Sequence, residues 1–174
     1  MRHSEGSGST VAVRLKEGQA FEDLVAEKLR GEGFLVCRFG QAQIADDVRQ
    51  ALQATTSPLR WLADLLAVRG EQWFWVDPKT GRTDTDNNVI EQSAMNAHRA
   101  HGETYKIVIV WPDFGWNWAH DFTDSMLIPG RQIEPWRTPY YKIAKIHARP
   151  WGKLVALPVP VAPPVPPVEQ RTLW

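Results

Sequence analysis

The stretch from Trp61 to Lys79 constrains the fold more than any other, because it reads as two short apolar strands joined by a turn. The first run, WLADLLAV, is apolar on both sides of Asp64; the second is WFWVD, and residues 69–72 supply the reversal. A carboxylate in so apolar a run is costly to bury unless a cation or a metal compensates it. We therefore expect Asp64 to have a charged partner.

The end of this hairpin gathers three ionisable side chains. If the strands pair, Asp64 and Asp77 lie at the same end, and Lys79 shares a face with Asp77 by the two-residue period. Residues 77–81, DPKTG, also fit a type I turn with Asp first, Pro second and Gly closing it. Both interpretations hold together if the strand ends at Asp77.

The order of these residues resembles the PD-(D/E)XK nuclease superfamily, and within it the Holliday-junction-resolvase type. The matching positions, over about residues 19 to 111, are Glu22, Asp64, Asp77-Pro78-Lys79 and Gln92. There are two departures from the family pattern. Ala63 replaces the Pro that often precedes the first Asp, and the X position is Pro78, which keeps its carbonyl but cannot donate to a sheet ladder.

The resemblance implies a restriction-endonuclease-like fold, a three-layer α/β/α sandwich with a mixed central sheet. It also implies a homodimer and metal-dependent hydrolysis of nucleic acid, with DNA, including branched or repair-type DNA, as the expected substrate. Lys79 would orient the attacking water, and Gln92 could bridge Lys79 and a phosphate. The groups that would hold Mg²⁺ or Mn²⁺ are the side chains of Asp64, Asp77 and Glu22 and the carbonyl of Pro78. The alternative is a nucleic-acid-binding or assembly module that keeps this fold without cutting.

The remaining elements alternate between helix and strand, which by itself predicts an α/β fold with a mixed sheet. We predict helices over 18–32, 44–53 and 89–101, the last capped by Asp86 or Asn87, and strands over 34–38 and 105–111. The strand over 105–111 is almost continuously apolar, so we expect it to be central and parallel to a neighbour. Residues 113–125 are predicted to be a loop, and Trp116 and Trp118 within it receive no role.

Several side chains carry competing interpretations. Glu22 lies on the flank of the apolar stripe of the first helix, either as a site acid or as an acid favoured by the helix dipole. Cys37 is better explained as a small buried hydrophobe than as a catalytic thiol. His98 and His101 are three residues apart on a predicted helix. Without a third ligand in view, we favour a helix-end charge or a surface pair over a metal site.

Charge is balanced overall, with 20 basic and 20 acidic residues, but it is unevenly distributed. Residues 1–130 hold 13 basic and 18 acidic residues, whereas residues 131–174 hold 7 and 2. Aromatic residues interleave this basic segment, a combination that favours nucleic-acid binding through Lys142, Lys145 and Arg149. A final strand over 140–148 whose aromatics cover the sheet explains the pattern equally well. Arg60 could also reach a phosphate, although packing and solubility are the roles we favour for it.

Length and composition predict one globular domain, since 43% of the 174 residues are hydrophobic and nine are Trp. We place the domain at 11–155, after a flexible N-terminus at 1–10. A proline-rich tail at 156–174 could contact another protein as a polyproline II segment. With no apolar run of about 18 residues and no signal-peptide core, we expect a cytoplasmic protein without a membrane partner. A single cysteine excludes an internal disulfide and a Cys-clustered zinc site.

Overall fold

The fold is α/β, with a mixed central sheet, a second small sheet and four helices among the residues that the computed structural model describes, which are 7–40, 43–55, 58–81, 86–130 and 138–156. The helices are α1 Ser7–Gly31, α2 Asp46–Gln53, α3 Gln92–Tyr105 and α4 Trp151–Val155. The strands are β1 Leu35–Arg38, β2 Leu65–Arg69, β3 Gln72–Pro78, β4 Asn87–Glu91, β5 Ile107–Val110, β6 Trp116–Trp118, β7 Ile128–Pro129 and β8 Tyr140–Ala144. No helix in these ranges is both long enough and apolar enough to cross a membrane.

The central sheet has five strands in the order β1-β2-β3-β5-β6. Strands β3 and β5 are parallel and the other neighbours are antiparallel, so the sheet is mixed, as the sequence predicts. The predicted hairpin is formed by β2 and β3, and Gly70 at its turn has a φ of +58°, a conformation that favours glycine. The predicted parallel neighbour of the 105–111 strand is β3.

Strand β5 is buried on both faces, which explains its continuous apolar sequence. Val108 and Val110 belong to a core that includes apolar residues of α1, β2 and β3. Ile107 and Ile109 belong to a second core that includes apolar residues of α3 and β8. The end of β3, the neighbour of β5, therefore lies between α1 and α3.

The second sheet has the order β4-β8-β7 and is antiparallel throughout. Its first strand corrects our prediction of a helix over 89–101 capped by Asp86 or Asn87, because Asn87–Glu91 is a strand and α3 starts at Gln92. The β-branched residues Val89 and Ile90 suit a strand that is paired along its whole length with β8. The predicted strand over 140–148 is confirmed over Tyr140–Ala144, which is β8, and is wrong for Lys145–His147, which form a 3-10 turn.

Three other element boundaries differ from the predictions. Helix α1 begins at Ser7 rather than at Gly18, so residues 7–10 of the expected flexible N-terminus are helical. Residues Pro58–Trp61 form a 3-10 turn, and the first hairpin strand begins only at Leu65. Trp116–Trp118 is an edge strand, not a loop, because it pairs with β5 and bridges to Arg149.

Cys37 is exposed on β1, so its prediction as a buried hydrophobe is wrong. The alternation of β1 explains this, because the side of the strand that carries Cys37 also carries Leu35, which is exposed. Residues 1–6 and 157–174, which contain most of the predicted flexible N-terminus and proline-rich tail, lie outside the described residues. So do residues 131–137 of the basic segment.

Candidate active site

The strand register places Asp64 opposite Asp77 at the open end of the β2–β3 hairpin. The ladder ends at the pair Leu65 and Val76, and Asp64 and Asp77 are the next pair outward. By the alternation of an antiparallel ladder, theirs is a non-hydrogen-bonded pair, the kind in which side chains lie closer together. The two carboxyl groups are near enough for Asp77 to raise the pKa of Asp64.

Pro78 is compatible with the sheet because its missing N–H falls on an unpaired side. The N–H groups of Trp75 and Lys79 both donate toward β5, to the carbonyls of Lys106 at 3.1 Å and Val110 at 2.8 Å. Backbone groups alternate along a strand, so the nitrogen and carbonyl of Pro78 face the β2 side. Pairing with β2 has already ended at Leu65. The Pro78 carbonyl is therefore directed toward the Asp64 side, beyond the end of the ladder.

Asp77 is held through both of its carboxylate oxygens. Lys79 Nζ donates to Oδ1 at 2.7 Å, and His98 Nε2 lies 2.7 Å from Oδ2. A carboxylate can only accept, so Nε2 carries the hydrogen of this bond. The side chains of Asp77 and His98 are 2% and 3% exposed. Our interpretation of His98 as a helix-end charge or surface pair is therefore wrong, because α3 turns it inward onto the sheet.

The charges of Asp77 and Lys79 stabilise each other against burial. Burial by itself would raise the pKa of Asp77, but the charges and hydrogen bonds of Lys79 and His98 outweigh it and lower that pKa. Burial would likewise lower the pKa of Lys79, but Asp77 and then Asp64 raise it. Asp77 therefore remains a carboxylate and Lys79 an ammonium group at neutral pH.

The pKa of Asp64 is raised, in contrast to that of Asp77. Burial, and then the neighbouring charge of Asp77, raise the pKa of Asp64 to about 8, and the opposing effect of Lys79 is smaller. At neutral pH the Asp64 carboxyl thus holds a proton in the absence of another cation. We expected Asp64 to have a charged partner. Lys79 fills this role only in part, because its effect on the pKa of Asp64 is smaller than the opposing effects of burial and Asp77.

Backbone packing fixes the position of Asp64. The N–H groups of Phe39 and Gly40 both donate to its carbonyl, at 2.7 and 3.0 Å. A Cβ atom on Gly40 would lie 2.7 Å from Asp64 Oδ1, closer than such contacts occur, so a side chain at position 40 would displace the carboxyl. Phe39 and Gly40, which follow β1, thus hold Asp64 in place just before β2.

Glu22 faces this site from α1 but stands further out. Its side chain is 24% exposed and lies 4.0 Å from Arg38. Burial raises the pKa of Glu22, Asp77 adds to the increase, and Arg38 opposes it. Within the described ranges, no three His, Cys, Asp or Glu side chains form a cluster that could hold a metal ion. Asp64 and Asp77 are the close pair, and Glu22 would reach an ion between them through water.

Gln92 serves a contact that the sequence did not predict. Its side-chain amide donates to the carbonyl of Tyr140 at 3.1 Å and so joins the start of α3 to β8. The neighbouring Glu91 adds a smaller contribution to the raised pKa of Lys79, after those of Asp77 and Asp64. Sequence reasoning missed both Glu91 and His98, and the only signal for His98 was an unexplained histidine on an amphipathic helix.

The predicted nucleic-acid-binding residues form two groups: two lysines on or beside β8, and two arginines that pack on tryptophan rings. Lys142 lies on β8, and Lys145 directly follows that strand. Arg149 is bound within the fold, since its Nη2 lies 2.6 Å from Asp121 Oδ2 and its guanidinium lies over the ring of Trp116. Arg60 lies over the ring of Trp61, with 5.2 Å between the guanidinium carbon and the ring centroid.

The donor set fits a hard divalent cation. The groups at the end of β3 are carboxylate and carbonyl oxygens, the ligands that Mg²⁺ and Mn²⁺ prefer. The proton held by Asp64 marks a place where an additional positive charge is favourable. A dication bound there would replace that proton, which gives a chemical reason for placing two acids side by side.

No protein-family model matches the chain, and no curated protein matches it either. Among solved structures, Hjc, a Holliday junction resolvase from the archaeal hyperthermophile Archaeoglobus fulgidus, is similar with a TM-score of 0.46 and 14% sequence identity. The alignment covers 80% of this chain and 95% of that chain. This similarity is too low to assign the chain to a family.

Proposed function

We propose that this protein is a metal-dependent nuclease of the PD-(D/E)XK type that hydrolyses phosphodiester bonds in nucleic acid, with DNA as the first substrate to test. The observation that carries the proposal is the pair of half-buried Asp64 and buried Asp77 beside Lys79 at the open end of a β-hairpin. We propose further that the two cores correspond to a three-layer α/β/α sandwich, and that the active form is a homodimer.

The groups proposed to hold Mg²⁺ or Mn²⁺ are Asp64, Asp77 and the Pro78 carbonyl, with Glu22 acting through water. When bound, such an ion lowers the pKa of a water molecule and neutralises charge that develops on the phosphate. Asp77 is ready for this role because its charge is already stabilised. Asp64 becomes a ligand only when it gives up its proton.

Lys79 cannot be the general base of this reaction, because its pKa is raised and it stays protonated. Its ammonium group has three donors, one of which is used by Asp77. The other two can orient a water molecule and stabilise a phosphate oxygen. His98 holds Asp77 from the buried side, so that the carboxylate faces the substrate at a fixed angle.

The test is cleavage of labelled branched, single-stranded and duplex DNA, and of RNA, with Mg²⁺ or Mn²⁺ and with EDTA. Wild type should cut at least one substrate only when the metal is present. Asp77→Asn should lose metal binding and cleavage, whereas Lys79→Ala should keep the metal and lose the chemical step. Glu71→Gln, at the exposed hairpin turn, is the matched control. A wild-type protein that cuts nothing in the panel would refute the proposal.

One observation favours a second candidate, a nucleic-acid-binding or assembly module that does not cut. Both oxygens of Asp77 are already bound, to Lys79 and to His98, so the ionised acid is satisfied without a metal. Calorimetric titration separates the two candidates. The nuclease should bind Mn²⁺ and release a proton as Asp64 ionises, and the module should bind nucleic acid with equal affinity in EDTA.

A further inference from the structure

A cavity of about 170 Å³ lies on the α3 side of the central sheet, beside the candidate active site. We name it the aromatic cavity. Its lining residues are Trp61, Leu62, Ala63, Trp75, Ala97, His98, His101, Tyr105 and Ile107. Hydrophobic and aromatic side chains dominate this lining, so the cavity suits a flat, weakly polar group.

The aromatic cavity is lined by residues that adjoin Asp64 and Asp77. Ala63 directly precedes Asp64, and Trp75 lies two residues before Asp77 on the same face of β3. His98 lines the cavity and also bonds Asp77 at 2.7 Å. Two strand residues span roughly 6.6 Å, so a group in the cavity and a phosphate at the metal ligands would belong to the same or adjacent nucleotides.

The aromatic rings of the cavity pack against neighbouring rings. Phe39 packs edge-on against Trp75 with 5.1 Å between the ring centroids. His101 packs against Tyr105 at 5.9 Å in the same manner. The guanidinium of Arg60 over Trp61 places a positive charge beside the apolar cavity. An aromatic wall with an adjacent cation matches a planar base that carries a phosphate.

We propose that the aromatic cavity binds one unstacked nucleobase next to the phosphate that is cleaved. This inference rests on the proposed nuclease function and deepens it, because a base can enter the cavity only after it leaves the helical stack. The substrate class is therefore DNA or RNA with unpaired nucleotides, as at a single-stranded end, a flap or a branch point. An uninterrupted duplex would be a poor substrate.

The first test compares intact single strands with strands that lack one base beside the cleaved bond. Wild type should cut the abasic strand about 10- to 100-fold less efficiently, measured as kcat/KM, because the abasic site cannot stack on the rings. Ala97→Phe fills the cavity and should lower kcat/KM for the intact strand by a similar factor. The variant should then cut the intact and the abasic strand with equal efficiency. Ala100→Phe, the same change at an exposed position of α3, should behave as wild type.

A second variant protects the test against misfolding. If thermal unfolding shows that Ala97→Phe is not folded, Trp61→Leu removes a stacking ring without filling the cavity, and it should reduce the same distinction. If wild type cuts both strands equally at every abasic position, the cavity does not bind a base, and the nuclease function still stands. A change of oligomeric state in Ala97→Phe, measured by sedimentation, would assign the cavity to a second copy of the chain and overturn the inference.

A binding measurement decides the inference even if no substrate is cut. A single strand that carries 2-aminopurine should lose fluorescence when it binds wild type in EDTA, since the base stacks on a Trp ring. It should keep its fluorescence with Ala97→Phe. Absence of quenching with wild type, or equal quenching with both proteins, would refute base binding in the cavity independently of catalysis.

Discussion

Asp64 is an acid whose surroundings favour its protonated form, and this has a thermodynamic consequence. Between the ordinary pKa of an Asp and about 8, the folded protein retains a proton that the unfolded chain has released. The free energy of unfolding of the metal-free protein should therefore fall as pH rises through this window. The expected slope is up to about 1.4 kcal/mol per pH unit. Urea unfolding at pH values from 5 to about 8.5 measures it.

The isosteric variant Asp64→Asn should remove this slope, because it cannot lose a proton, and should be more stable than wild type at the upper end of the window. Glu71→Gln should leave the slope unchanged. Mg²⁺ should flatten the slope in wild type by favouring the ionised form. A slope of the same size in Asp64→Asn would assign the proton to another group. Asp77 acts in the opposite sense, since its lowered pKa gives stability that disappears only in strong acid.

His98 is a positioning residue that acts through Asp77. His98→Leu removes the hydrogen bond to Asp77 Oδ2 and leaves a buried carboxylate oxygen unsatisfied, so it should lower both stability and kcat. His98→Gln retains a donor and should recover a large part of kcat. For a strand that lacks the base beside the cleaved bond, KM should change less than kcat, because His98 then touches neither a base nor the phosphate. Equal losses in the two variants would show that the side chain only fills space.

The sequence predicted Asp64, Asp77 and Lys79 because their positions follow from one local hairpin and its register. It could not predict His98, which lies 21 residues after Asp77 and reaches it only through the packing of α3 on β3. Gly40 was missed for the same reason. Its importance comes from a close approach to Asp64 Oδ1 that no local pattern encodes.

At the scale of elements, the basic residues proposed to bind nucleic acid differ in their contacts within the fold. Lys142 and Lys145 lie on and beside β8, whereas Arg149 is bound to Asp121 and Trp116. Replacing the two lysines with Gln should lower the salt slope of nucleic-acid binding by about 0.7 to 0.9 for each phosphate that the protein no longer neutralises. Fluorescence anisotropy over a range of salt concentrations measures this slope.

Two controls define this prediction. Lys153→Gln, on the exposed side of α4, should leave the slope unchanged. Arg149→Gln should lower the thermal midpoint, because it removes the ion pair with Asp121 and the contact with the Trp116 ring on β6, but should have little effect on the slope. If Arg149→Gln flattens the slope and the lysine variant does not, the binding surface lies at β6 and not on β8.

Secondary-structure patterns predicted the hairpin and β5 well, because burial on one or both faces leaves a clear periodicity. They failed at Val89 and Ile90, which fit the apolar face of a helix as well as a strand and stand directly before α3. The pairing of β4 with β8 joins segments about 50 residues apart, and this long-range pairing decides the outcome. Strand β6 was missed because three residues are too few for an alternation to be recognised.

At the scale of the whole molecule, the order of elements predicted an α/β fold with a mixed sheet, and the structure has one. The separate three-stranded sheet could not be predicted, since its strands come from distant parts of the chain. Among the described residues, the C-terminal boundary of the packed core is helix α4. Helix α4 contributes Leu154, which is fully buried, and the carbonyl of Val155 accepts a hydrogen bond from Arg69 at 2.7 Å.

This boundary predicts the effect of truncation. Ending the chain after Ala156 should leave the thermal midpoint and nucleic-acid binding unchanged, because the described core residues precede that position. Ending it after Pro150 removes Leu154 and the ring of Trp151, and the removal of one buried Leu alone costs about 2 to 5 kcal/mol. We expect the thermal midpoint of that variant to fall by at least about 5 °C. Calorimetry of the two truncations beside the full chain measures both effects.

The contradicting outcome is equal destabilisation of the chain that ends after Ala156 and the chain that ends after Pro150. In that case the proline-rich tail packs on the domain, and its assignment as a separate tail at 156–174 is wrong.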